Sequence, residues 1–207
     1  MFNFFEFDSR GSSLKFHAHL IGYNGIHTGL IPETKLLIGD YIDFSFPIIF
    51  KHDKQHKSLD ILDTGTATLY LISDKMVNIL KSNKFTGWKT FPVTLLNREN
   101  SQISGYHGLS ILGKCGLISY KKSKIIYKQV LPSRPAWKFY KGYQFDLSEW
   151  DGSDLFIPKN IFKIIVTDKV AMALKNDKLS NLRLTNLIEF ETSEEIVLER
   201  ERKQKNL

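Results

Sequence analysis

The sequence contains an internal repeat. Ile72–Phe85 aligns without a gap to Val166–Leu179, and every residue of the first segment lies 94 positions before its counterpart. An Asp, a Leu and three Lys are identical, and several other pairs, such as Ser73 and Thr167, are conservative exchanges. Because a repeat indicates related structural units within one fold, this feature constrains the architecture more than any motif does.

Each copy predicts a capped helix between two strands. The hydroxyls of Ser73 and Thr167 can accept hydrogen bonds from the free amides of a first helical turn, and Asp74 and Asp168 suit the positive end of the helix dipole. Apolar residues then follow at helical spacing, at Met76, Ile79 and Leu80 and at Val170, Ala173 and Leu174. Asn83 is the predicted end of the first helix, with a strand at Phe91, Val93 and Leu95 after it and one at Leu182 and Leu184 after the second helix. The repeat units span about residues 66–96 and 160–190.

The rest of the chain predicts strands. Aromatic residues make up 13% of the 207 residues, a share that favours packing on pleated surfaces. Leu14, Phe16, Ala18 and Leu20 alternate with polar residues, and the segment from Tyr41 to Phe46 alternates until Pro47. The sequence therefore predicts one α+β domain over residues 1–192, with mostly antiparallel strands and two pseudo-repeated helical modules. Residues 193–207 are predicted to form a charged C-terminal helix or tail.

The sequence argues against a membrane-spanning protein and against a secreted one. Charged residues interrupt every apolar stretch well before the roughly 18 residues of a membrane span, and the first residues lack the pattern of a secretory signal. We therefore expect a cytoplasmic protein without membrane contact. Cys115 is the single cysteine, so it cannot form an internal disulfide, and it is predicted to be a small core residue rather than a nucleophile.

The histidines do not predict a metal site. His17 and His19 share one face of a predicted strand and His27 follows a turn later, but no Asp or Glu lies nearby at a ligand spacing. The pair also lies opposite the apolar face of that strand, which places it on the solvent side. His52 and His56 are predicted to be surface residues of a basic loop. We expect no metal and no cofactor.

Motifs for catalysis are missing. The chain has no nucleophile elbow, phosphate-binding loop, dinucleotide fingerprint or zinc-protease motif. His107 lies close in sequence to Ser104 and Ser110, and Asp60, Asp63 and Asp74 lie within a short stretch, but neither group forms a recognisable catalytic pattern. Asp74 and Asp168 are explained as first-turn helix residues. The prediction is that the protein is not an enzyme and has no catalytic residues.

Nucleic-acid binding is a second reading of the net charge of +7 and the pI of about 9.3. Its candidate residues are four lysines interleaved with two tyrosines: Lys121, Lys122, Lys124, Lys128, Tyr120 and Tyr127. Such tyrosines can stack on bases while the lysines contact phosphates. The same segment is also typical of a solvated edge strand whose lysines prevent aggregation. Because the remaining basic residues are scattered, we favour the edge strand.

A partner-binding surface is predicted between Arg134 and Trp150. The candidate residues are Arg134, Trp137, Tyr140, Tyr143 and Trp150. Trp, Tyr and Arg supply most of the binding energy in protein interfaces. The alternative is that the odd-numbered aromatic residues are buried in the core. On a strand, Trp137, Phe139, Tyr143 and Phe145 would share one face. Tyr140 and Trp150 are then the expected exposed residues.

The order of these elements resembles a family of bacterial immunity proteins found beside polymorphic toxins. The residues that carry the resemblance are Ile72–Leu80 and Val166–Leu174, together with Phe91–Leu95, Tyr106–Ser119 and Asp154–Phe156. In that family a hydrophobic strand leads into a Ser-capped helix and a short strand, and the unit recurs near the C-terminus. The resemblance covers roughly residues 60–190. The family often has a Gly after the second helix; here Ser180 and Asn181 stand there, while Gly87 follows the first helix.

The resemblance implies a protein that works by binding. It would bind a cognate toxin domain in the cytosol and neutralise it by direct contact, and the family supplies no catalytic residues. The charge of +7 suits an acidic toxin surface and argues against a nuclease as partner. A nucleic-acid-binding module is the alternative, and an enzyme of an unrecognised class is the third reading. The sequence leaves the identity of the toxin and the oligomeric state open.

Overall fold

A computed structural model describes residues 3–10, 18–23, 33–42, 44–52, 59–65, 69–133, 135–159 and 161–205. The described residues form an α+β fold in which strands predominate over helices, as the sequence predicts. None of the helices in these ranges is both long enough and apolar enough to span a bilayer.

Four helices and seventeen strands occur in the described ranges. The helices are α1 (Glu33–Ile38), α2 (Asp74–Ser82), α3 (Asp168–Asn176) and α4 (Glu194–Lys205). The strands of the first half are β1 (Phe4–Ser9), β2 (Ala18–Tyr23), β3 (Ile48–His52), β4 (Ile61–Asp63), β5 (Tyr70–Ser73), β6 (Trp88–Phe91), β7 (Val93–Leu96) and β8 (Gln102–Ile103). Those of the second half are β9 (Tyr106–Ile111), β10 (Gly113–Ser119), β11 (Lys124–Lys128), β12 (Trp137–Lys141), β13 (Gln144–Phe145), β14 (Leu155–Lys159), β15 (Ile164–Thr167), β16 (Leu182–Asn186) and β17 (Glu191–Ser193).

The strands form four sheets. The largest has the order β13-β10-β14-β15-β1-β16, and the others are β4-β5-β9-β6, β2-β3-β7-β8 and β11-β12-β17. Within the described ranges, every strand pair is antiparallel except β10 with β14 and β3 with β7. The sheets are therefore mostly antiparallel, in agreement with the predicted fold class.

The sequence repeat is a structural repeat. The order β4-β5-β9-β6 of one sheet matches β14-β15-β1-β16 within the largest sheet, and α2 and α3 each contain nine residues. The strand registers also correspond, because Ile61 pairs with Ile72 as Leu155 pairs with Val166. We call β4, β5, α2, β6 and β9 the first unit, and β14, β15, α3, β16 and β1 the second unit.

The second unit is completed by the N-terminal strand. In the first unit, Ser73 of β5 lies opposite Tyr106 of β9. In the second unit, Thr167 of β15 lies opposite Phe4 of β1. Strand β1 therefore occupies the position of β9, although it comes from the opposite end of the chain from the elements it joins. The repeat unit predicted over residues 160–190 contains β15 and β16 but neither β14 nor β1.

The two helices begin differently. Ser73 caps α2 as predicted, because the Met76 amide donates a hydrogen bond of 3.3 Å to its hydroxyl. Thr167 has the extended backbone of an N-cap, but its hydroxyl does not cap α3. It donates instead to Asp154 at 3.4 Å. The prediction of a Thr cap is wrong in this detail. Both hydroxyls donate to the carboxylate at the equivalent position, Ser73 to Asp60 at 2.8 Å and Thr167 to Asp154, but only the Ser73 hydroxyl also accepts from a helix amide.

The turns after the helices correspond residue by residue. Lys84 and Lys178 both have a positive φ, at 55° and 50°, and so do Gly87 and Asn181, at 85° and 60°. At Gly87 a Cβ atom would lie only 2.1 Å from the carbonyl oxygen of Leu155, so a side chain does not fit. At the equivalent place in the second unit, the side-chain amide of Asn181 donates a hydrogen bond of 2.8 Å to the backbone carbonyl of Ile61. Asn tolerates the left-handed conformation, which explains how it replaces Gly here.

Reciprocal carboxylate bridges join the two units. Asp60 precedes β4 of the first unit, and its carboxylate accepts hydrogen bonds of 2.7 Å from both the amide and the hydroxyl of Ser180, in the turn after α3. Asp154 precedes β14 of the second unit and accepts bonds of 3.0 and 3.2 Å from the amide and hydroxyl of Thr86, in the turn after α2. The members of each pair of equivalent residues lie 94 positions apart, so the bridges are related by the repeat.

Both bridging carboxyls are more acidic than usual. Burial opposes the ionisation of Asp60, but the bonds from Ser180 and Ser73 outweigh it and hold the pKa of that carboxyl below its ordinary value. Burial is also the largest single effect on Asp154, and the Lys169 ammonium and the Thr86 donors overcome it and lower its pKa. Both carboxylates are therefore charged acceptors near neutral pH.

The units share one core. Its buried residues come from both helices, with Met76, Val77 and Leu80 from α2 and Val170, Ala171 and Leu174 from α3. A second cluster packs Phe4, Tyr143 and Phe156 with Cys115, and a third surrounds Phe50 and Phe91. Cys115 is 1% exposed, and burial raises the pKa of its thiol to about 11, which fits the predicted core role.

Several predicted strands are wrong in extent. The segment from Tyr41 to Phe46 contains no strand among its described residues, because Phe44 turns back to donate to the Tyr41 carbonyl and the Tyr41 ring packs at 5.2 Å on Phe46. The predicted strand through Phe91 is two strands of different sheets, β6 and β7, on either side of Pro92. The predictions for Leu14 and Phe16 lie outside the described residues.

Candidate partner-binding surface

Strands β11 and β12 form a hairpin at the edge of the three-stranded sheet. The register pairs Ile125 with Tyr140 and Tyr127 with Lys138, and β12 also pairs with β17. Strand β11 is the edge strand of this sheet. Because opposite residues of an antiparallel pair share a face, Ile125 and Tyr127 lie on the same face as Tyr140.

Large apolar side chains are exposed along the hairpin. Tyr127 is 69% exposed, Ile125 49% and Trp137 39%, and Val130 and Leu131 in the connecting loop are 46% and 43% exposed. These five residues are called the hairpin surface. The register places Ile125 and Tyr127 on one face of the hairpin and Trp137, which pairs with Lys128, on the other. Large apolar side chains exposed on both faces of one hairpin are unusual for surface that contacts only water, and they are typical of an interaction site.

The predicted partner residues divide between this surface and the core. Trp137 is exposed on β12, whereas Tyr143 is buried, and burial raises the pKa of its hydroxyl. Tyr140 is half-buried, with its ring 5.9 Å from that of Tyr120. Trp150 is half-buried against Phe4 at 5.5 Å. Arg134 lies outside the described residues.

The prediction of a shared aromatic face is wrong. Trp137 and Phe139 belong to β12, and Tyr143 and Phe145 lie beyond Gly142, which has a φ of 80°. The chain turns there and enters a different sheet, so only Tyr143 and Phe145 are buried. The expectation that Tyr140 and Trp150 are the exposed residues fails for the same reason, and Trp137 is the exposed one.

Acidic residues of β17, α4 and the preceding turn neutralise several hairpin lysines. Lys138 pairs with Glu194 at 2.7 Å, Lys128 pairs with Glu191, and Lys141 pairs with Glu189. The hydrogen bond that the Lys141 ammonium donates to the Glu189 carboxylate raises the pKa of Lys141. By contrast, Lys121, Lys122 and Lys124 are exposed and have no carboxylate partner within the described part of the chain. The positive charge of the hairpin is therefore concentrated at the start of β11.

An open depression of about 560 Å³ lies where the hairpin meets the first turn of α4. Tyr127, Trp137 and Lys138 line one side, and Ser193 and Glu194 line the other. Two aromatic side chains beside an ion pair provide both apolar area and directional polar groups. This combination suits the side chains of a protein partner.

The histidines and serines form no catalytic arrangement in the described ranges. His107 Nε2 lies 2.7 Å from Asp74 Oδ1, so His107 contacts the first turn of α2 and neither candidate serine. The Ser110 hydroxyl is buried and contacts the Tyr41 hydroxyl at 2.7 Å. No group of three potential metal ligands occurs among the described residues. His17, His27 and His56 lie outside those residues.

Of the two tyrosines predicted to stack on nucleic-acid bases, only one is exposed. Tyr127 is exposed on β11, but Tyr120 is 7% exposed and its hydroxyl accepts a hydrogen bond from Arg200 of α4. Tyr120 therefore supports the hairpin from beneath and has no free ring face for a base. The four lysines remain exposed.

The exposed aliphatic residues of the hairpin surface were missed by the sequence reasoning. Ile125 lies between lysines in a strand that shows no apolar alternation, and Val130 and Leu131 precede Pro132 in the loop. No periodic signal marked them, because the run Lys124–Lys128 lacks the alternation of apolar and polar residues that identifies a buried face.

Comparison with known proteins identifies no family for this chain. No protein-family model matches the sequence, and no curated protein matches it either.

Proposed function

We propose that this protein is a bacterial immunity protein. It binds the toxic domain of a cognate polymorphic toxin and neutralises it by direct protein–protein contact, without catalysis of its own and in the cytosol. The observation that supports this most is the hairpin surface, with Tyr127 69% and Trp137 39% exposed on adjacent strands. Exposed Tyr and Trp side chains on a regular element are the residues from which protein interfaces gain most energy.

The hairpin is well supported from beneath. Five residue pairs join β11 and β12, and the Tyr140, Tyr120 and Tyr143 rings pack edge to face below them. A surface that is already ordered loses little conformational entropy when it binds. This rigidity supports a role as a binding surface and not merely as exposed structure.

A nucleic-acid-binding module is the second candidate. The observation that favours it is the group of exposed lysines at the start of β11, next to the exposed ring of Tyr127. Binding of this kind would be tolerant of sequence and would weaken steeply as salt rises. We rank it second because the burial of Tyr120 removes one of the two tyrosines that this function predicts for stacking on bases.

The test is a rescue experiment. The proposal expects a large secreted protein with a toxic C-terminal domain to be encoded beside this chain, and that domain is expressed alone and together with the full chain. Growth should stop with the toxin domain alone and recover on co-expression. The purified pair should form a complex by size-exclusion chromatography and calorimetry. Absence of both rescue and complex formation contradicts the proposed function.

A double variant tests the surface. Tyr127→Ala with Trp137→Ala should abolish rescue and weaken the complex about a thousandfold, since each central aromatic residue contributes about 2 kcal/mol and every 1.4 kcal/mol is tenfold. The matched control is Phe162→Ala with Met172→Ala, which removes two other exposed apolar side chains, 53% and 62% exposed, and should leave rescue intact. Denaturation midpoints verify that both proteins are folded. Full rescue by the first variant would place the contact elsewhere.

A further inference from the structure

We propose that β11 is a docking edge for an extended acidic segment of the partner, which adds to the three-stranded sheet as a fourth strand. This inference rests on the function proposed above and specifies the chemistry of the partner segment. It concerns the backbone of β11 and the lysines at its start, whereas the hairpin surface consists of exposed apolar side chains.

The backbone of β11 is available for pairing. All five of its residues pair with β12 on one side, and no strand of the described residues pairs with its other side. In an edge strand, alternate residues direct their N–H and C=O groups away from the neighbouring strand. An extended peptide satisfies these groups by adding a strand, which is a common mode of peptide recognition.

The charge around this edge selects an acidic segment. The lysines of β12 face glutamates of the same protein, with Lys138 at 2.7 Å from Glu194. Lys121, Lys122 and Lys124 have no such partner in the described part of the chain, so three positive charges lie at the start of this edge strand and in the turn before it. Carboxylates of an incoming strand would supply the missing partners and would align its register.

The same charges disfavour a second copy of this chain. In an antiparallel pair of two β11 strands, Lys124 and Lys128 of each copy would lie opposite lysines of the other. Like charges in directly opposite positions destabilise a strand pair. Lysines on an edge strand are a known protection against such self-association. A partner of opposite charge is therefore the occupant that the edge accepts.

An added strand also fits the edge better than nucleic acid does. A single-stranded nucleic acid needs several ring faces beside the basic residues, and Tyr127 is the one exposed ring on β11. The polypeptide partner instead uses the backbone groups of the strand, which nucleic acid leaves unpaired. Its side chains on one face meet Ile125 and Tyr127, both of which are exposed.

Synthetic peptides test the proposal on the full-length chain. The probe is a capped peptide of about eight residues with alternating Glu and Val, a length that matches an ordinary strand. The controls are the same peptide with Lys in place of Glu, and two versions with N-methyl groups on alternate amides, which keep the charge and block pairing along one edge or the other. Binding is measured by calorimetry and by backbone amide shifts in NMR spectra.

The acidic peptide should bind and shift the amides of Lys124–Lys128 more than those of other strands. The Lys peptide and one of the two N-methylated peptides should bind about tenfold more weakly or worse. If both N-methylated peptides bind as well as the parent, the contact is purely electrostatic and strand addition is wrong. If a single-stranded oligonucleotide displaces the peptide at an equal or lower concentration, nucleic acid is the occupant and the proposal is overturned.

Charge reversal separates this proposal from the proposed function. The triple variant K121E/K122E/K124E should lose about tenfold in affinity for the acidic peptide, whereas K114E, an exposed position on β10, should bind normally. In the rescue experiment, the triple variant should protect poorly against the toxin domain. Normal protection by the triple variant overturns the docking edge and leaves the immunity function standing, while failure of the unaltered chain to protect overturns the function.

Discussion

At the scale of single residues, the two units use different side chains for the same backbone task. Gly87 lets the Leu155 carbonyl approach closely, and Asn181 donates to the equivalent Ile61 carbonyl. The sequence shows that these positions correspond, because they are 94 residues apart. The sequence does not show that Gly87 and Asn181 each contact the opposite unit, since that contact depends on how the two units pack together.

Replacing Gly87 with Ala should destabilise the fold strongly. The added Cβ would lie 2.1 Å from the Leu155 carbonyl and would also be strained at a φ of 85°. Gly152 is the matched control, because it has a φ of 81° and a Cβ added there would meet no atom within 4 Å. Gly152→Ala should cost about 1 kcal/mol, the strain alone. Gly87→Ala should cost about 1–3 kcal/mol more because of the added clash. Equal losses in urea denaturation would show that the clash is relieved at no cost.

At the scale of elements, the two repeated helices were predictable, whereas α1 and the connections between the units were not. The periodicity of Met76, Ile79 and Leu80 and the cap at Ser73 are local, so both α2 and its counterpart α3 follow from the sequence. The bridge from Asp60 to Ser180 joins residues 120 positions apart, and no local pattern predicts it. The same applies to the hairpin surface, where the division of aromatic residues between exposed and buried depends on the turn at Gly142.

The carboxylate bridges should make stability depend on pH. The pKa values of Asp60 and Asp154 are lowered in the folded protein, so the unfolded chain binds protons first as pH falls. Their contribution is complete above the unfolded pKa of about 4 and is lost as pH falls through the lower folded values. The free energy of unfolding should therefore rise between about pH 2 and pH 5.

Variants assign this pH dependence to the bridges. The double variant Asp60→Asn with Asp154→Asn should lower the free energy of unfolding near neutral pH by about 1–3 kcal/mol per site, because each substitution removes hydrogen bonds to a charged acceptor. It should also flatten the acid limb, which is the rise in the free energy of unfolding between about pH 2 and pH 5. Asp168→Asn is the control, since that carboxylate is exposed and accepts a hydrogen bond from the neighbouring Lys169 amide. Urea titrations across the acid range measure both effects. An unchanged acid limb in the double variant would assign the pH dependence to other carboxyls.

At the scale of the whole molecule, the two units are not independent modules. They share a core in which residues of α2 and α3 pack together, and each unit contributes a carboxylate to the other. The repeat in the sequence predicts two similar units. It does not predict that one of them borrows β1, because the register between Phe4 and Thr167 joins the two ends of the chain.

The shared core predicts a single unfolding transition. Phe7 lies on β1 of the second unit, is 1% exposed, and packs at 5.5 Å on the ring of Tyr70 in the first unit. Phe7→Ala should cost about 3–5 kcal/mol and should shift the loss of helical circular dichroism and the change in tryptophan fluorescence by the same amount. Two separated transitions, with only one of them shifted, would mean that the units unfold independently.

The position of β1 has a consequence for how the chain is made. The ribosome synthesises the N-terminal strand first, but its two neighbours, β15 and β16, end at Thr167 and Asn186 of a 207-residue chain. The elements of the first unit follow one another from Ile61 to Ile111 and can assemble during translation. Strand β1 therefore cannot pair with its neighbours until the segment that forms β15 and β16 has been synthesised. Until that segment is made, both edges of β1 lack their native partners, and an unpaired strand edge is a hazard for aggregation.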